Sequence, residues 1–190
     1  MIRILRNRYA LSTVITTLII LVVSILLAGV LTYFATNVVS TRVQQESLAI
    51  SNTHIWVPAT AAVGSVEAAM MITNTGGRDV VISQIQVLGQ PSTSIFYLNT
   101  VQADNLNQGL TYTPANTGPT LNTVTVGTFA NALATDPGSL VLPSGHTMVV
   151  YILSPASVST NDIGITVGFT VFTAQAMYYK ETNVQSYAGP

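Results

Sequence analysis

From Ala10 to Thr41 the chain reads ALSTVITTLIILVVSILLAGVLTYFATNVVST, without one charged residue. Its centre, Val14 to Leu31, is almost wholly apolar, and only Gly29 interrupts it. A hydrocarbon core is crossed by about 20 apolar residues in helical form, so the run is long enough to span one. Just before it sit Arg3, Arg6 and Arg8, three of the six basic residues in the chain. Arginines so placed stay on the cytoplasmic side, which puts the C-terminal part outside.

The residues after the run have room for one extracytoplasmic domain. Charged residues make up 7% of the 190, against about a quarter in ordinary domains. Beyond the three leading arginines there are three basic residues against seven acidic, a formal charge of −4. That balance disfavours nucleic acid as a partner, because phosphate binding needs a basic face. The chain has no cysteine. An exported domain without disulfides is held by its core or by neighbours, and thiol chemistry and cysteine metal sites are excluded.

Two ordinary explanations of the N-terminus present themselves. A secretory signal peptide carries an apolar stretch of about 7–15 residues followed by a small-residue cleavage site. Here the run is longer and continues to Pro58 without a proline, which argues against cleavage after it. A plain signal anchor fits the arginines and the helix and needs nothing more. The third reading rests on RNRYALSTVITTLIILVV, a short basic leader that ends in a small residue before the hydrophobic run. This arrangement resembles the class III signal of archaeal type IV-like pilins. The resemblance implies that a prepilin peptidase cuts on the cytoplasmic side and that the helix stays in the mature protein. It places the cut at Ala10–Leu11. Tyr9 stands where the family usually has a basic residue, which leaves Tyr9–Ala10 as the alternative bond. Archaellins share the architecture but generally carry a Glu soon after the cut. No acidic residue precedes Glu46 here, which favours pilin over archaellin.

At about 100° per residue, Thr13, Thr17, Ser24, Ala28 and Ala35 fall in one sector of the helix, with Thr32 beside it. A stripe of small residues lets helix backbones approach closely. Alternatively, each hydroxyl bonds its own preceding turn and faces lipid. Ile20, Leu21, Leu27 and Leu31 supply the larger interlocking surface. From Val38 to Ile50 the pattern turns amphipathic, and Arg42 and Glu46 stand four apart, close enough to pair. This segment is expected to leave the bilayer as a stalk or to pack on the head.

The remainder reads as short strands. They are expected at 53–57, 66–73, 80–88, 94–98, 121–129, 139–142, 147–153 and 163–179, with loops at 102–119 and 134–138 and a frayed end from Thr182 to Pro190. The run from Val80 to Leu88 is apolar on both faces and reads as a doubly covered strand. Asn74-Thr75-Gly76-Gly77 reads as a tight turn between antiparallel strands, its glycines taking positive φ. The block MITNTGGRDVVISQIQVLG also resembles the start of the immunoglobulin-like head of many archaeal pilin-like proteins. Seven or eight short strands with frequent turns argue for an antiparallel sandwich.

The catalytic inventory is poor. His54 and His146 are isolated, no G-x-S-x-G elbow occurs, and no phosphate loop or helical histidine pair is present. The stretch from Asp104 to Gly109 misses the calcium-loop template, with Leu106 and Gln108 at ligand places. The carboxylates Glu67, Asp79, Asp104, Asp136, Asp162 and Glu181 are scattered. Trp56 with Tyr97, Tyr112, Tyr178, Tyr179 and Tyr187 is a sugar-binding candidate, although strand aromatics more often serve packing. No Asn carries the x-Ser/Thr acceptor pattern.

The expectation is an α+β chain in which a long N-terminal hydrophobic helix precedes an all-β, immunoglobulin-like antiparallel sandwich. Residues 1–10 are the basic leader, 11–50 the transmembrane and filament-core helix, and 51–190 the extracellular head. The resemblance implies a pilin that polymerises with itself through its helix and serves surface adhesion. It is held by the cytoplasmic membrane as precursor, is served by prepilin peptidase and the assembly platform, and is extracellular as a filament. No enzyme activity, cofactor, metal or nucleic acid is expected. The rival is a non-polymerising, membrane-anchored binding module with an immunoglobulin-like head.

Overall fold

The computed structural model of the chain describes residues 2–43, 45–59, 65–100, 109–113, 123–126, 129–135, 138–155 and 157–188. It divides into two compact units, Met1–Val43 and Gln44–Pro190.

The first unit is one helix, α1 (Ile2–Val43). It contains no proline and a single glycine. Leu, Ile, Val and Ala dominate it, and no polar side chain within it outcompetes the backbone for hydrogen bonds. Every side chain from Leu11 to Thr41 is exposed. Those 31 residues extend about 46 Å at 1.5 Å per residue, more than the roughly 30 Å of a hydrocarbon core. The helix ends at Val43, before the amphipathic stretch is complete. Leu48 to Ile50 belong to the first strand instead.

The described residues of the second unit form twelve strands: β1 (Leu48–Pro58), β2 (Glu67–Asn74), β3 (Val80–Val87), β4 (Gln90–Pro91), β5 (Ile95–Thr100), β6 (Thr123–Val126), β7 (Phe129–Ala132), β8 (Ala134–Thr135), β9 (Leu140–Leu142), β10 (Thr147–Leu153), β11 (Thr166–Thr173) and β12 (Met177–Tyr187). Ten of them form one curled sheet of order β4-β3-β11-β12-β1-β2-β10-β5-β8, with β9 paired to β3; β6 and β7 form a separate hairpin. The described pairings are antiparallel except β1 with β12, which run parallel from Ile55↔Val184 to Pro58↔Tyr187. A bulge between Ser51 and His54 lets β1 keep β2 on one side and take β12 on the other. Asn52 carries the bulge at φ +47, a conformation that asparagine tolerates better than most residues.

The curl folds one face of the sheet over a core. Ile55, Met70, Ile72, Met148, Val150 and Ile152 from β1, β2 and β10 meet Ile82, Ile85, Val87, Val167, Phe169 and Val171 from β3 and β11. Each such side chain contributes about 1.5–3 kcal/mol on burial. A second, smaller cluster lies on the outer face of the same strands: Trp56, Ala69, Met71, Val149 and Tyr151, covered by Leu110, Tyr112 and Leu133. β2 and β10 are therefore buried on both faces.

Several sequence expectations change. β3 is covered on one face only; Val81, Ser83 and Gln84 are exposed because nothing described lies over its outer side. β2 and β3 do not pair with each other, so the NTGG segment is a crossing between two parts of the sheet and not a hairpin. The long strand at 163–179 is two strands joined at Ala174–Ala176, and Thr182 to Tyr187 is not frayed. Thr182 and Asn183 pair with β11 and Val184 to Tyr187 pair with β1, which holds that end in the sheet. Within the expected exposed loop 102–119, Leu110 and Tyr112 are buried. Residues 102–108 and 114–119, which include 104–108 of the ion-loop candidate, lie outside the described residues.

Candidate functional site

Among the expected site residues, Ala10 and Leu11 lie within α1, and the Leu11 side chain is exposed. Thr13, Thr17, Ser24, Ala28 and Ala35 share the helix, and each is exposed. The hydroxyls along it turn back on their own backbone. Thr17 donates to the Val14 carbonyl at 2.9 Å, Ser24 to Ile20 at 2.7 Å and Thr32 to Ala28 at 2.8 Å. Thr16, Thr36 and Thr41 do the same one turn back. Such back-bonding removes most of the cost of a hydroxyl in an apolar surround. What the stripe then presents to a neighbour is its small size.

The groups with chemical potential do not converge. No cluster of three or more His, Asp or Glu suited to a metal ion occurs among the described residues. His146 Nδ1 lies 3.1 Å from the Ser144 carbonyl. Asp162 accepts from the Ser159 amide and hydroxyl, capping a short turn. Asp79 accepts from the Ser144 amide. Glu181 accepts from the Tyr179 hydroxyl, which pushes that phenol up. Asp104 and Asp136 lie outside the described residues. The aromatic set separates as well. Trp56, Tyr112 and Tyr187 adjoin on one side, Tyr97 and Tyr178 pack on the inner core, and Tyr179 is exposed. They make no common sugar-binding face.

Two constellations are built more tightly than the sequence indicates. The first grips residues 45–47. Thr75 and Gly76 both donate their amides to the Ser47 carbonyl, at 2.9 and 3.1 Å. The Ser47 and Thr75 hydroxyls meet at 2.8 Å. A Cβ on Gly76 would lie 2.8 Å from the Gln45 carbonyl oxygen and 2.8 Å from the Ser47 nitrogen. Gly76 is thus required for close approach of two backbones and not for the positive φ expected of it. Asn74, 1% exposed, donates from Nδ2 to the Arg78 and Leu142 carbonyls and accepts the Gly76 amide at Oδ1. The Glu46 carboxylate accepts from the Thr173 hydroxyl at 2.8 Å and lies 4.0 Å from Arg78. The Arg42 side chain, its expected partner, lies outside the described residues.

The second surrounds Glu67, which is 1% exposed on the outer face of β2. Its carboxylate accepts from the Thr113 hydroxyl at 2.8 Å and from the Thr113 amide at 3.3 Å. The one described ion pair belongs to Glu46 and Arg78, so no described cation pairs Glu67. Burial pushes its carboxyl up to about 7, against the pull of the two Thr113 bonds. Burial also raises the phenols of Tyr112 and Tyr151, and the nearby Glu67 charge adds to both shifts. Tyr112 donates to the Ser65 carbonyl at 2.9 Å, and Tyr151 donates to the Thr111 carbonyl at 3.0 Å. His54 stacks on Trp56 at 5.2 Å, with its Nδ1 buried and lacking a hydrogen-bond partner. In the sequence Glu67 stands only as one of the scattered carboxylates. The five apolar residues that follow it, Ala68 to Ile72, were the sign that β2 has no polar face.

No family model matches the chain, and no curated protein matches it. Among solved structures, the apo PCuAC domain of PmoF2 is similar at a TM-score of 0.41 and 11% identity, covering 75% of this chain and 95% of that one.

Proposed function

We propose that the chain is a structural subunit of a cell-surface filament, a pilin of the archaeal type IV-like class. The observation that carries this reading is α1: 31 uncharged residues from Leu11 to Thr41 whose side chains are all exposed. A surface so apolar needs either lipid or other helices around it. In the precursor, the bilayer solvates it and the arginines hold the leader in the cytoplasm. In the filament, copies of the same helix replace the lipid, with the small residues Thr17, Ser24, Ala28 and Ala35 setting the closest approach. The heads form the outer wall, and their low charge limits repulsion between crowded copies. The strand order supports an immunoglobulin-like sandwich for the head. β1-β2-β10-β5 and β3-β11-β12 repeat the A-B-E-D and C-F-G orders of that fold.

The test is the N-terminal residue of the protein recovered from fibres sheared off cells. A filament subunit begins at Leu11 or Ala10. Recovery of the chain solely as dispersed membrane copies beginning at Met1 would overturn the proposal. The self-bonded hydroxyls of Thr16, Thr17, Ser24, Thr32, Thr36 and Thr41 favour the second reading, a membrane-anchored extracellular module, because hydroxyls satisfied within their own helix are at ease in lipid. Ser24→Leu separates the two. It leaves an anchor in place and removes the close approach that a helical core needs.

A further inference from the structure

We propose that residues 109–113 form a pH-gated strap over the outer face of the sheet, held down while the Glu67 carboxyl is protonated and released as it ionises. The strap has two kinds of attachment. Leu110 and Tyr112 insert into the outer apolar cluster. The Thr111 carbonyl, the Tyr112 hydroxyl and Thr113 bond to Tyr151, Ser65 and Glu67. The Glu67 contact is the one whose strength depends on pH. The titratable groups that face it are Tyr112 from the strap and Tyr151 from β10; Tyr187 from β12 lies against Tyr112, and the His54 ring stacks on Trp56 in β1. Burial raises the phenols of Tyr112 and Tyr151, which keeps both neutral in the physiological range. An ionised Glu67 under the strap has two hydrogen bonds from Thr113 and no described countercharge. Lifting the strap returns it to water.

The closed carboxyl sits at about 7, above its ordinary 4.5, so the closed state binds the proton more tightly than the open one. Closure is therefore strongest below pH 4.5. It weakens about tenfold per pH unit as the open form ionises, and levels off once the closed form ionises too, near pH 7. Full hydration on opening makes the total change about 300-fold in the opening equilibrium. Opening uncovers Trp56, Met71 and Tyr151.

The experiment uses the full chain in detergent micelles between pH 4.5 and 8.5. Hydrogen exchange of the peptide spanning residues 109–113, corrected for the intrinsic pH dependence of the chemistry, reads the strap. Acrylamide quenching of Trp56, the only tryptophan, reads the face beneath it. A His54→Gln background removes the contribution of the stacked imidazole to the Trp56 signal. Corrected exchange is expected to rise up to 300-fold across the range, and quenching to rise with it. Glu67→Gln should hold both readouts flat at the low-pH value. Thr113→Val, which removes a bond favouring the carboxylate, should move the midpoint to higher pH. A flat wild-type profile overturns the proposal, as does a Glu67→Gln profile that still rises. If Glu67→Gln fails to fold, an unmoved midpoint in Thr113→Val overturns it equally.

Discussion

The grip on residues 45–47 makes Gly76→Ala the most informative single change in the head. The added Cβ would meet the Gln45 carbonyl oxygen and the Ser47 nitrogen, each at 2.8 Å, with Asn74 Oδ1 next at 3.2 Å. The two nearest atoms are backbone, so no side-chain rotation relieves the clash. The segment must move outward by several tenths of an ångström. That movement stretches the amide bonds from Thr75 and Gly76 to the Ser47 carbonyl and the hydroxyl contact between Ser47 and Thr75. Two backbone hydrogen bonds are worth about 1 kcal/mol each. Against this, alanine restricts the unfolded chain and returns roughly 0.4–1 kcal/mol, because Gly76 does not occupy the left-handed region. The net expectation is a loss of about 1–2 kcal/mol, which lowers Tm by roughly 2–8 °C for a unit of this size. Urea unfolding followed by Trp56 fluorescence measures it. Gly109→Ala is the matched control, since its Cβ would meet nothing within 4 Å. Hydrogen exchange at the Thr75 and Gly76 amides locates the damage. Equal stability of the two variants, with both amides still protected, would show that the close approach is not what Gly76 is there for.

Other outcomes follow from separate features. Asn74→Ala removes one acceptor and two donated bonds from a buried position and should cost about 2–4 kcal/mol in the same urea assay. Phe169→Ala empties part of the inner core, where Phe169 has no exposed surface, and should cost about 3–5 kcal/mol by calorimetry. Leu88 and Gly89 form the two-residue turn between β3 and β4 with φ of +50 and +75, values that suit Asn-Gly far better than Leu-Gly. Leu88→Asn should therefore stabilise the head by about 1 kcal/mol, seen as a higher urea midpoint with unchanged slope. Ser24→Leu should leave the chain in the membrane fraction and reduce the sheared-fibre yield severalfold; unchanged yield would remove the small-residue stripe from the packing argument.

The sequence alone determined α1, because its stability in an apolar surround depends on composition and on bonds no more than four residues away. The Ser and Thr residues are an instance: Thr16, Ser24 and Thr32 each find their acceptor one turn back. The unbroken apolar run from Met148 to Leu153 likewise marked β10, whose two apolar faces both became buried. Only the tertiary structure decided what depends on partners far along the chain. Thr182 to Tyr187 looks like a polar tail, yet it is the strand that joins β11 to β1 and closes the curl. Leu110 and Tyr112 look like loop residues until the outer face of β2 and β10 is seen to need a cover. Glu67 reads as one of several scattered carboxylates, and its raised carboxyl comes from burial, which the bonds from Thr113, 46 positions away, oppose. Gly76 reads as a turn former, and its real constraint is the passage of residues 45–47 beneath it. In each case the deciding quantity is desolvation or close approach between segments, which no local window of sequence contains.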